Sequence, residues 1–186
     1  MKNELCDLSA VELLGLYRKK KVSPVEVTRA VLERIEKLNP VLNAFCFLDS
    51  SSSLKSAKES EKRWLRNEPK GLVDGIPTTI KDLLVTKGWP TLRGSRTVDP
   101  KGPWNDDAPA VARLREHGAV ILGKTTTPEF GWKGVTDGPL TGRHLSGEGL
   151  KHRGVPKLSR ADAAHCILPL PRDPSSAGKT IRAGYR

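Results

Sequence analysis

Long apolar runs are missing from this 186-residue chain. No stretch approaches the roughly 18 apolar residues that a membrane-crossing helix needs, so no membrane partner is expected. Cysteine is scarce: Cys6, Cys46 and Cys166 are odd in number and widely spaced, which suits neither a disulfide framework nor a zinc site. The histidines, at 117, 144, 152 and 165, offer no H-x-x-x-H or H-E-x-x-H spacing, and no metal is expected. Aromatic residues make up only 5% and do not interleave with the Lys and Arg clusters. No RRM, KH or zinc-finger spacing is present, so specific nucleic-acid binding is not expected despite a net charge of +11. The opening segment, MKNELCDLSAVELL, carries acids where a secretory signal would carry bases, which makes a cytoplasmic protein the expectation.

What is present is ordinary for a soluble globular domain: 37% apolar and 28% charged residues, in a chain long enough to bury a core. The charge is uneven. Residues 143–186 hold nine bases against three acids and one aromatic, Tyr185, among several Pro and Gly. Composition therefore shifts near Gly142. The chain divides into an organised part, 1–142, and a basic tail, 143–186, which lacks the apolar periodicity that could offset chain entropy and is expected to be disordered or the product of a shifted reading frame. The run Arg18-Lys19-Lys20-Lys21 reads as cations at a helix C-terminus, where they favour the dipole.

The first 142 residues read as an alternating α/β chain. Ser9 to Glu12 and Ser23 to Glu26 are capping boxes, the second with proline at the first helical position. Val27, Val31, Ile35 and Leu38 follow at helical spacing, and Asn39-Pro40 is expected to stop that helix. Residues 41–48 read as a mostly buried strand, 53–66 as a polar helix, and 78–82 as a short strand after the turn Gly71 to Pro77. Asp107 is expected to cap a helix over 108–117, ended by Gly118. Ala119 to Leu122 reads as a buried strand. Helix followed directly by apolar strand implies an α/β sheet with helices packed against it.

Chemistry concentrates at Lys81. It follows Pro77-Thr-Thr-Ile80 and precedes Asp82. A lysine at the end of a buried strand loses hydration, which disfavours the ammonium, and a neutral lysine can serve as a general base. The alternative is a lysine that snorkels to solvent or pairs with Asp82. Gly118-Ala-Val-Ile-Leu-Gly-Lys-Thr125 matches the phosphate-loop pattern G-x-x-x-x-G-K-S/T literally. It is rejected, because its middle reads as a strand and it follows a helix rather than opening one. No cofactor is expected.

Leu72-Val-Asp-Gly-Ile-Pro-Thr-Thr-Ile-Lys-Asp82 resembles the lysine segment of the amidase signature family. Thr86-Lys-Gly88, Thr91-Leu-Arg-Gly-Ser95, Asp107 to Leu114, Gly118 to Phe130 and Thr136 to Gly142 follow in that family's order, and the N-terminal pair of helices fits as well. The resemblance covers about residues 5–142. It implies the N-terminal part of the amidase signature fold, a mixed β-sheet covered by helices, and hydrolysis of amides by a Ser–cis-Ser–Lys triad, with Lys81 as the general base and a small-molecule amide as substrate. Pro128-Glu-Phe130, in place of Asp-Glu-Phe, looks more like a general amidase than part of a tRNA-dependent amidotransferase; the distinction leaves both open.

The sequence departs from the family at both serine segments. Where the glycine-flanked cis serine belongs, the chain reads Arg153-Gly-Val-Pro-Lys-Leu-Ser-Arg160; Ser159 lacks the glycines that let such a loop adopt its backbone conformation. Where the nucleophile belongs, Gly178-Lys-Thr-Ile-Arg182 puts Thr180 in the serine's place. After Thr141-Gly142 the family continues with Gly-Val-Thr; such codons read one frame out yield Arg-His, as Arg143-His144 does here. The expectation is a truncated amidase-family chain without activity of its own. One alternative is a short active amidase using Lys81 with Thr180 or Ser159, or with Ser175 or Ser176. Another is a non-enzymatic basic protein binding acidic partners. Lost partner strands are expected to expose apolar faces such as Val120, Ile121 and Leu122 and to favour self-association or chaperone binding.

Overall fold

A computed structural model describes residues 5–145. In chain order these form α1 (Ala10–Arg18), α2 (Pro24–Leu42), β1 (Phe45–Leu48), α3 (Ser50–Leu65), β2 (Pro77–Lys81), α4 (Pro109–Glu116), β3 (Val120–Thr125) and a single 3-10 turn, Glu129–Gly131. The strands make one mixed sheet in the order β1-β3-β2, with β1 antiparallel and β2 parallel to β3. The expected α/β class, a small mixed sheet covered by helices, is the one observed. Among the described residues no helix is long and apolar enough to cross a membrane. Of the basic tail, 143–186, residues 146–186 lie outside the described residues.

Both capping boxes form. Ser9 and Ser23 each accept the backbone N–H of the residue three ahead, and Glu12 and Glu26 return the contact to the cap N–H. Such caps stabilise a helix by about 1 kcal/mol each. Two boundaries differ from the sequence reading. Pro40 does not stop α2; the helix runs on to Leu42 and ends where Asn43 adopts the left-handed conformation, φ 53°, with its N–H on the Asn39 carbonyl at 2.7 Å. So near the end of the helix, proline removes only one hydrogen bond, and the Asn39 side chain accepts the next two backbone N–H groups, those of Ala44 and Phe45, at 2.8 Å each. Strand β1 is accordingly shorter than 41–48. Asp107 does not cap α4. The N-cap is Ala108, and Pro109 removes one of the donors a cap would satisfy. Asp107 instead accepts the Lys87 N–H at 2.8 Å and faces Arg115 Nε at 2.9 Å.

Strand β3 is the centre of the molecule. Val120 and Leu122 pack with Val25, Leu32, Ile35 and Ala57 from α2 and α3; Ile121 packs on the other side with Ile80, Trp89 and Val111. Val120, Ile121 and Leu122 are therefore buried, at 0%, 5% and 1% exposure, not the exposed face expected from the sequence. They have partners on both sides within this chain, because β1 and β2 flank them, α2 and α3 cover one face, and Val111 of α4 with Trp89 covers the other.

A third cluster, built on Leu13, Tyr17, Val27, Trp64, Val73 and Ile76, clamps the turn that feeds β2. Tyr17 donates to the Gly75 carbonyl at 3.2 Å and Trp64 to that of Asp74 at 3.1 Å. Arg63 grips the buried Asp74 carboxylate with two bonds, 2.8 and 2.6 Å, and Lys70 N–H adds a third at 2.7 Å. Lys81 thus leaves a strand whose start is fixed by two helices.

Gly123 marks the closest approach in the sheet. A Cβ there would overlap the Phe47 carbonyl oxygen and lie 2.9 Å from Leu48 Cα, both backbone atoms of β1. Gly123→Ala should push β1 off β3 and cost about 3 kcal/mol. A urea denaturation midpoint unchanged from wild type would contradict this placement.

Candidate active site

Lys81 ends β2 opposite Thr125 of β3. The Asp82 N–H bonds the Thr125 carbonyl at 3.0 Å, which fixes the backbone beside it. The Lys81 side chain crosses the end of β3, and Nζ donates to the Thr126 carbonyl at 2.8 Å. Thr126 is itself pinned: its N–H bonds the Ala44 carbonyl at 2.9 Å and its hydroxyl the Asn43 carbonyl at 3.0 Å. The left-handed turn that ends α2 therefore places the acceptor that holds the lysine.

As a whole residue Lys81 is exposed, yet its amine lies against protein. Desolvation of the amine lowers its pKa below the ordinary lysine value, while Cys46 and Asp82 pull in the other direction. The loss of hydration is partial, since solvent still reaches the side chain. Cys46, across on β1, has its thiol pushed up to about 11 by burial of the sulfur against the Lys124 carbonyl at 3.5 Å, although the residue overall is exposed. It is neutral at physiological pH. Lys81 does not pair with Asp82, the alternative left open by the sequence.

Asp82 turns instead to a lysine that stands out in the sequence only as part of the rejected phosphate-loop match. Lys124 is fully buried. Its ammonium donates to the Leu84 carbonyl at 2.8 Å, Thr91 Oγ1 at 2.7 Å and Thr86 Oγ1 at 3.4 Å, and stands 3.5 Å from Asp82 Oδ1. Asp82, 3% exposed, also accepts the Gly94 N–H at 3.4 Å. Burial raises the Asp82 pKa, opposed by Lys124, and lowers that of Lys124, opposed by Asp82. The signal was available in sequence: a charged residue inside an apolar strand must find a partner. The glycine–lysine–threonine match itself lies in β3, with Lys124 and Thr125 committed to the sheet.

Nearby, Ser95 Oγ bonds Glu129 Oε1 at 2.7 Å and Thr97 Oγ1 at 2.8 Å, and Phe130 N–H bonds the Arg93 carbonyl at 2.8 Å, tying the 93–97 loop to the 3-10 turn. Among the described residues no serine or threonine hydroxyl bonds Lys81. Ser159, Thr180, Ser175 and Ser176 lie outside the described residues. Two concavities, one lined by Tyr17, Pro24 and Trp64 and another by Ser56, Trp89 and Arg115, do not include Lys81. Among the described residues no group of His, Cys, Asp and Glu is arranged to hold a metal ion.

A lysine with a lowered pKa carries more neutral amine at a given pH and reacts faster. A limiting dose of an amine-acylating reagent at pH 8 should modify Lys81 ahead of the surface lysines Lys55 and Lys58 and leave buried Lys124 untouched. Site-mapped mass spectrometry reads this directly; equal rates at Lys81 and Lys55 would contradict it.

Comparison with known proteins gives a consistent answer. The Amidase family model matches residues 26–145. A glutamyl-tRNA(Gln) amidotransferase protein from Salinispora tropica is 39% identical over 135 residues, which is 72% of this chain and 27% of that protein. An indoleacetamide hydrolase from Bradyrhizobium diazoefficiens is 37% identical over 139 residues, 74% of this chain and 26% of that protein. Among solved structures, a bacterial aryl acylamidase of the amidase signature enzymes superposes with a TM-score of 0.67 at 28% identity, covering 75% of this chain and 29% of its own. The chain thus spans just over a quarter of the length of the curated relatives it matches.

Proposed function

The chain belongs to the amidase signature family, and from that premise we propose that Lys81 is the general base of a C–N bond hydrolysis that converts a small amide to a carboxylate and ammonia or an amine. The observation that carries this reading is the lysine's setting: an amine of lowered pKa, held by one backbone carbonyl at the open end of the sheet. A neutral lysine amine donates one N–H to Thr126 and keeps its lone pair for the proton of an incoming hydroxyl. A serine deprotonated in this way attacks the amide carbonyl, and the proton returns to the departing nitrogen.

The base is one part of the triad. Neither serine segment of the family is recognisable in the 186 residues, and the described residues bring no hydroxyl to Lys81. We therefore assign this chain the lysine-bearing part of the site and no turnover by itself, since a missing oxyanion donor alone costs roughly 100- to 1000-fold. Residues 1–142 form the amidase part of this reading and 143–186 a separate basic tail. Its setting is cytoplasmic, supported by free thiols at Cys6 and Cys46. Self-association or chaperone capture belongs to the same reading. It is supported by the outer edges of β1 and β2, unpaired among the described residues, and by Trp132 at 73% and Val135 at 62% exposure.

Paired assays of purified wild type and Lys81→Ala on small aliphatic and aromatic amides test the assignment. Both should match buffer. Turnover that vanishes with Lys81→Ala would show a short working amidase, with Thr180 and then Ser159 as the partner to examine. Turnover that survives Lys81→Ala would remove the lysine from the chemistry.

A further inference from the structure

Two lysines stand at neighbouring positions of paired strands with opposite environments. Lys124, paired in register with Ile80, has four oxygens around its ammonium, a carboxylate, a carbonyl and two hydroxyls, and no access to water. That is the coordination of a charged ammonium, whose three N–H donors find acceptors. Lys81, one residue further along, has a single carbonyl and an open side. The Asp82 residue, next to Lys81 in sequence, carries a carboxylate 3.5 Å from Lys124 Nζ. The ionisable groups that act on Lys81 from the packed elements are Cys46 on β1 and Asp82 after β2, and Lys124 on β3 pairs with Asp82.

An unopposed carboxylate beside Lys81 would hold that lysine protonated and useless as a base. The Lys124 ammonium, 3.5 Å from that carboxylate, weakens the pull. We propose that Lys124 is a positioning residue of the amidase site, acting through Asp82: it neutralises the carboxylate and anchors it, so that Lys81 can lose its proton and stay directed at the Thr126 carbonyl. This rests on the reading of Lys81 as the base. Asp82 does two tasks in this arrangement. It accepts the Lys124 charge, and through the Gly94 N–H it fixes the 91–95 loop, whose Thr91 hydroxyl returns to Lys124. The ring of contacts closes on itself.

The sign of the effect separates this role from a purely structural one. Removing the Lys124 charge leaves Asp82 uncompensated and raises the Lys81 pKa; removing the Asp82 charge lowers it. The test is the midpoint of the pH dependence of Lys81 acylation, mapped by mass spectrometry on the full chain, with folding checked by circular dichroism. Lys124→Met should move the midpoint up by about one pH unit, the size expected for a unit charge several ångströms away. Asp82→Asn should move it down, and the double variant should return it close to wild type. Midpoints that do not move, or that move the same way in both single variants, overturn the proposal. If Lys124→Met does not fold, the step from Asp82→Asn to the double variant decides it: a midpoint that returns towards wild type supports the proposal, and one that stays where Asp82→Asn put it overturns it. No substrate enters this measurement. Failure of the hydrolysis reading therefore leaves the charge relation standing, and failure of the charge relation leaves the assignment of Lys81 to be judged by hydrolysis.

Discussion

The ammonium of Lys124 is the constraint around which this structure is arranged. Moving a charge out of water costs several kcal/mol even in a relaxed protein, and it is tolerated only where ion pairing and hydrogen bonds replace hydration. Here the replacements come from three directions: Asp82 after β2, the Leu84 carbonyl and Thr86 hydroxyl in the turn that follows, and Thr91 in the next loop. Segment 82–95 is thereby tied to Lys124 at four of its residues.

Apolar packing builds the platform on which this network stands. Strand β3 sends Val120 and Leu122 against the helices and Ile121 against Trp89 and Val111, so it is buried on both faces before it reaches Lys124. Gly123 lets β1 approach closely enough to complete the sheet. The Asp74 carboxylate, gripped by Arg63 and Lys70, sets the start of β2 in the same way that Lys124 sets its end. Lys81 is thus held at both ends of its strand by charged contacts, while its own side chain keeps only one tether. A stiff frame and a lightly tethered amine suit the proton transfer proposed for Lys81.

Much of this was legible in the sequence. Paired helix caps, the helical period of Val27, Val31 and Ile35, and the apolar run at 119–122 each reported an element, because local hydrogen bonding and burial act over a few residues. The ordered segments around Lys81 pointed to the amidase signature family, which the match over residues 26–145 bears out. Boundaries were less legible. Pro40 stays within α2 because the Asn39 amide and the left-handed Asn43 satisfy the helix end, and neither contact has a signature in the spacing of apolar residues. Asp107 had the chemistry of a cap, yet was drawn to Lys87 and Arg115, partners that only the folded chain brings near.

The sequence by itself determined the presence of the helices, the α/β class and the family, because each depends on residue type and short-range order. Tertiary structure alone decided how each lysine amine is surrounded. Lys81 and Lys124 stand on the paired strands β2 and β3. They differ because the chain folds Asp82, Thr86 and Thr91 onto one and leaves the other with a single carbonyl, and electrostatic environment is a property of groups distant in sequence and close in space.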